Sequence, residues 1–182
     1  TDHGYMHGTL DFYLQAKQQG IHPIIGCETY VAKGSRLIKE VREGYHLILL
    51  AKNPQGLRNL QYLISMASLE GFYYYPRIDH DILRSHSAGL VGLSACLAGE
   101  ISRTYFASGY DAAKEMARTY ASIFEDGCFY LELQHNRLPE QDELNETLVR
   151  ISRETGIPLA ATNDCHYLNR EDARSQEILM AI

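Results

Sequence analysis

Close to the C-terminus, Thr162-Asn163-Asp164-Cys165-His166-Tyr167 sets a carboxylate and an imidazole two residues apart. The apolar run Ile157-Pro158-Leu159-Ala160-Ala161 before it, punctuated by Gly156, reads as a buried strand. Residues two apart on a pleat point to the same side. The C-terminal end of a buried strand is where barrels and open sheets present acid/base groups or metal ligands. Asp164 and His166 are therefore candidate catalytic groups. Glu28 joins them, because a carboxylate inside the apolar strand His22–Val31 needs a cation or a buried arginine to compensate it.

Further residues of metal-binding type recur at strand ends or on the loops beside them: Asp2, His3, His46 and Cys96. His3, Glu28, His46, Cys96, Asp164 and His166 form a mixed imidazole, carboxylate and thiolate set. Such a set suits zinc, manganese or iron, and its carboxylates can bridge two ions. Paired ions about 3.5–4 Å apart stabilise the attacking and leaving oxygens in phosphoester cleavage. Each residue also has a plainer reading. His3 can be a turn residue with Asp2 capping the next helix, Cys96 a small core residue, and His46 a hydrogen-bonded core histidine. His46 stands at the front of its strand, where a strictly parallel sheet would place it wrongly, so either the sheet is irregular there or His46 is not a ligand. His7, His22, His80, His86 and His135 read as surface residues without partners.

Strands and helices alternate around these residues. Helices are predicted over Met6–Gln19, Pro54–Ala67, Asp81–Ser85, Ile101–Ala107, Asp111–Phe124 and Pro139–Thr155, with a last one from Arg170. Strands are predicted over His22–Val31, Tyr45–Ala51, Leu90–Leu93, Cys128–Gln134 and the run before Thr162, while Gly71–Asp79 reads as an aromatic loop. Continuous apolar strands and the lack of tight-hairpin signals imply a parallel α/β architecture, either a (β/α) barrel or a doubly wound sheet. Thr1-Asp2-His3-Gly4 has the character of a loop leaving a strand, so at least one strand is expected before Thr1.

The chain has 182 residues and a formal net charge of −6. It reads as one domain, and the charge excludes nucleic-acid binding through a broad basic surface. Cys27, Cys96, Cys128 and Cys165 show no CxxC spacing and fit reduced, buried thiols of a cytoplasmic protein. No apolar run is long enough to span a membrane, and none is a signal peptide.

Asp2-His3-Gly4, Gly26-Cys27-Glu28, Tyr45-His46-Leu47, Leu93-Ser94-Ala95-Cys96-Leu97-Ala98-Gly99-Glu100 and Asn163-Asp164-Cys165-His166-Tyr167 occur in this order. Together the segments resemble the polymerase-and-histidinol-phosphatase (PHP) domain found in bacterial replicative DNA polymerases. Gly71-Phe72-Tyr73-Tyr74, Pro76-Arg77-Ile78-Asp79, Leu138-Pro139-Glu140-Gln141 and Tyr167-Leu168-Asn169-Arg170 are similar to the polymerase branch. The resemblance spans residues 1–182 and implies a distorted (β/α)7 TIM-like barrel whose first strand, with a His-x-His motif, precedes Thr1. It implies that His3, Glu28, His46, Cys96, Asp164 and His166 ligate two or three divalent ions (Zn, Mn, Mg or Fe), that Asp2 orients His3, and that Cys165 points into the barrel wall.

The activity implied is metal-dependent 3′–5′ excision at a DNA primer terminus, with Arg77 a candidate contact to the DNA backbone. The partners implied are the remainder of a bacterial, cytoplasmic polymerase chain, a proofreading subunit and clamp-associated replisome proteins. A metal-stabilised docking domain, using the polar faces of the helices at 111–124 and 139–155, and a free-standing phosphoesterase are the alternatives. This segment alone is expected to be inactive.

Overall fold

A computed structural model of the chain describes residues 1–181. Strand β1 (Asp2–His3) leads into helix α1 (Thr9–Gln18), then β2 (Gly26–Ala32), β3 (Gly44–Ala51) and α2 (Pro54–Leu69). The short pieces β4 (Arg77–Ile78) and α3 (His80–Ser85) precede β5 (Leu90–Leu93), α4 (Glu100–Ser108) and α5 (Tyr110–Ala121). The chain continues through β6 (Phe129–Gln134), α6 (Pro139–Thr155), β7 (Leu159–Thr162), a 3-10 turn (Arg170–Asp172) and α7 (Ala173–Met180).

Local chemistry accounts for several boundaries. The Asn53 side chain accepts a 2.9 Å hydrogen bond from Gly56 N, and Pro54 fits the first turn of α2, where its missing N–H costs nothing. Helix α6 begins at Pro139 and ends where Gly156 turns left-handed at φ 77°. Its Leu144, Leu148 and Ile151 are buried as their spacing predicts. Helix α1 packs little: Leu10, Tyr13 and Leu14 are exposed and only Ala16 is buried.

The mixed α/β sheet has seven strands, in the order β1-β2-β3-β5-β6-β7, with β4 also pairing to β2. It is not wholly parallel. β3 runs antiparallel to both β2 and β5, while the other pairs are parallel. The reversal is made by residues 33–43, a connection too long to carry a tight-turn signature. Buried Arg77 holds it: its guanidinium donates to the carbonyls of Val41 (2.7 Å), Ile38 (2.9 Å) and Gly71 (3.1 Å). The Asp79 carboxylate adds an ion pair to Arg36 at 3.1 Å and accepts from Ile82 N, capping α3.

One sheet face carries Cys27, Val31, Leu47, Leu49 and Leu131 into a core with Leu60 and Leu63 of α2 and Leu144 and Ile151 of α6. Gly92 lets Phe124 lie against β5, since a Cβ there would come within 2.4 Å of the ring. The other face lines a cavity. Among the described residues no pairing links β1 to β7. Still, the His3 and His166 rings stand 5.6 Å apart, so the sheet curls until its two ends approach.

Candidate metal centre

Register puts the first group together. His3 pairs with Glu28 across β1 and β2, and Tyr30, two residues beyond Glu28, pairs with His46 on β3. Positions opposite one another, or two apart, share a sheet face, so His3, Glu28 and His46 all project into the cavity side. The antiparallel course of β3 resolves the problem posed by its sequence: the front of that strand lies at the same end of the sheet as the back of its neighbours.

The contacts are close. Glu28 Oε1 lies 2.6 Å from His46 Nδ1 and 3.3 Å from His3 Nδ1. Cys96 Sγ is 3.7 Å from the same His46 nitrogen. The turn carrying Cys96 is locked by Gly99, whose N–H donates to Cys96 O at 2.9 Å. A Cβ at Gly99 would lie 2.1 Å from Ser94 O. His46 N donates to Ala98 O at 3.1 Å, which ties that turn to β3. Burial lowers the affinity of His46 for a proton, but the Cys96 and Glu28 acceptors outweigh it and the pKa rises from 6.5 to about 9. Burial acts upward on Glu28, but the hydrogen bond and charge of His46, with the charges of His3 and His166, bring its carboxyl below the ordinary value.

Asp164 and His166 approach from the other end of the strand order. β7 ends at Thr162, so neither residue lies on the pleat. Asp164 adopts φ 48°, a left-handed turn that Asp tolerates, and His166 Nδ1 is 2.8 Å from Asp164 O. The strand before them is a half-exposed edge strand rather than the buried one expected. Cys165 is exposed and lines the cavity, contrary to the expectation that it points into the wall.

The cavity, about 310 Å³, is lined by His3, Glu28, Cys96, Glu132, Gln134 and Asp164 among others. Its donor set fits a divalent ion: the His3 imidazole, the Glu28 and Asp164 carboxylates and the Cys96 thiol all line it. Among the described residues no three His, Cys, Asp or Glu side chains close around a single point. Glu28 instead contacts His46 and His3, and Cys96 contacts His46.

The PHP domain family matches residues 1–136. The chain belongs to this family. It is similar over its whole length to proteins named DNA polymerase III subunit alpha. Identity is 49% to the one from Borreliella burgdorferi and 46% to one from Helicobacter pylori, with the chain covering 16% of each. It is 45% to the Thermus aquaticus protein, with 15% covered. The chain thus spans about a sixth of the length of these relatives. Asp164 and His166 lie beyond the family match but inside the alignments to these relatives.

Within this PHP domain three expectations need correction. Arg77 is 1% exposed and spent on backbone carbonyls, so it is not presented to DNA. Asp2 does not orient His3; its carboxylate accepts from Gly8 N at 3.3 Å, ahead of α1. His80 is not a lone surface residue, since its Nε2 lies 2.8 Å from Glu100 and 3.2 Å from Tyr120.

Two elements of the PHP domain escaped the sequence reading. Glu132, buried on β6, accepts from Ala95 N (3.1 Å), Gln134 Nε2 (3.2 Å) and Thr162 Oγ1 (2.5 Å). It thereby ties the turn before Cys96 to the end of β7 before Asp164. Burial raises its pKa despite these donors, and the Asp164 charge adds to the rise. A carboxylate inside Cys128–Gln134 was the available signal, parallel to that of Glu28. Second, Lys33, Tyr45, Tyr75, Arg103 and Phe106 line a groove of about 640 Å³ on which His46 also borders. Only folding brings those five positions together.

Proposed function

We infer that this PHP domain is part of a bacterial replicative DNA polymerase and that its cavity holds divalent ions for removing 3′-terminal nucleotides. The observation that carries the reading is that His3, Glu28, Cys96 and Asp164 line one cavity, with His46 in contact with Glu28 and Cys96 and the His166 ring 5.6 Å from that of His3. His3, Glu28, His46, Cys96, Asp164 and His166 would hold two or three ions drawn from Zn, Mn, Mg or Fe. Bound ions supply Lewis-acid activation of water and neutralise the phosphate. Glu28 aligns His3 and His46, and Glu132 holds the turns that bear Cys96 and Asp164. The groove beyond His46 offers Arg103, a Lys33 paired to Glu43 at 3.8 Å, and three aromatic faces on which the bases of a single-stranded primer end could stack. In the intact domain the curled sheet closes as a distorted (β/α)7 barrel. Its partners are the primer terminus, the remaining polymerase chain and replisome proteins, in the bacterial cytoplasm.

A second reading, docking of a proofreading subunit, is favoured by the exposed apolar Leu10, Phe12 and Leu14 of α1. Excision of a mispaired primer end by the full-length parent and by its Asp164→Asn variant separates the two. We expect metal-dependent excision in the parent and a loss of about 100-fold or more in the variant. Equal, metal-independent excision by both would overturn the catalytic reading.

A further inference from the structure

Gln134 is 4% exposed and lines the metal-centre cavity. Its amide is oriented by Glu132, to which Nε2 donates at 3.2 Å. The reverse orientation would set two acceptor oxygens face to face. Oε1 is left buried with no donor. A buried acceptor without a partner is costly, and in a cavity wall it marks the place of a donor that arrives with a ligand. The neighbouring Glu132 carboxylate is already satisfied by Ala95 N, Gln134 Nε2 and Thr162 Oγ1, so it does not draw a cation to this corner. A neutral hydrogen-bond donor suits Gln134 Oε1 better.

We propose that Gln134 Oε1 accepts a hydrogen bond from the 3′-hydroxyl of the terminal nucleotide and is a specificity-determining residue for a free 3′ end. The proposal rests on the reading that this cavity takes a nucleotide terminus. The geometry fits that use: Asp164 and Cys96 belong to the turns that Glu132 holds, and Glu132 also orients Gln134. One carboxylate therefore sets the hydroxyl acceptor relative to the ligands that would face the scissile phosphate.

Cys165 gives a readout independent of catalysis, because it is exposed and lines the same cavity. In the full-length parent protein with Mn²⁺, thymidine 5′-monophosphate is titrated for protection of Cys165 against alkylation, mapped by mass spectrometry. Its 3′-deoxy analogue is titrated alongside. We expect the analogue to need about fivefold more for half protection, the loss of one hydrogen bond. In Gln134→Met that ratio should fall to about one. A ratio near one in the unsubstituted protein overturns the proposal. So does a fivefold ratio that persists in Gln134→Met, which would assign the hydroxyl to another group, and so does protection by neither nucleotide. Excision that depends on Asp164 would survive each of these results, so the two readings fail separately.

Discussion

Glu28 and His46 sit on neighbouring strands inside the sheet, whereas Asp164 and His166 lie past the last residue of an edge strand. The Glu28 side chain is 8% exposed and that of His166 42%. The first pair is placed by a ladder that cannot slip without turning every side chain of β3 to the other face. The second pair is placed by a left-handed turn and by the reach of Glu132 across β6 to Thr162. One end of the centre is thus part of what holds the sheet together. The other is free to vary as long as its support from β6 remains.

The largest test of this contrast is Glu28→Ala. It leaves His46 buried without its carboxylate, and chemical denaturation of the metal-free chain should show a loss of about 3 kcal/mol. A loss below about 1 kcal/mol would erase the distinction between the two ends. Glu132→Ala comes next. It strips the acceptor from Ala95 N and Thr162, and should cost about 2 kcal/mol in the same measurement. A cost near zero would show that the loop end needs no support from β6.

The buried pair also makes the metal-free chain sensitive to pH. His46 is raised from 6.5 to about 9, so its contribution is fully present below 6.5 and is lost as pH rises through 9. Glu28 is lowered from 4.5, so its contribution is present above 4.5 and is lost as pH falls through its folded value. Stability should therefore peak between about pH 4.5 and 6.5 and decline by on the order of 1 kcal/mol toward pH 9. A His46→Gln variant that keeps the same decline would assign the effect elsewhere. The smallest change is expected at the loop. Asp164→Gly keeps the left-handed turn and should stay within about 0.5 kcal/mol of the parent in denaturation. A drop as large as that of Glu28→Ala would mean that the loop end, too, holds the fold.

Much of this molecule is legible from residue types alone. Pro139 and Gly156 mark the two ends of α6 because φ is restricted in one and permissive in the other. The metal-type residues could be picked out because carboxylates, imidazoles and thiols at strand ends have few uses in a core. The position of His46 signalled that the sheet is irregular at β3, but its reversal was not legible, since the loop that makes it has no short turn motif. Arg77, 36 residues beyond the Val41 carbonyl it binds, holds that loop. The same lack of long-range information led Arg77 to be read as a DNA contact and Cys165 as a wall residue.

By itself the sequence determined the chemistry of the donors, the alternation of helices with strands, and family membership, because all three rest on residue type and order. Tertiary structure alone decided that β3 runs antiparallel, that His46 therefore meets Glu28 and Cys96, and that Glu132 and Gln134 share a cavity with Glu28 and Cys96. The reason is physical: direction and register are set by hydrogen bonds and packing between residues distant in the chain, and a buried arginine or carboxylate declares its partner only when the chain has closed around it.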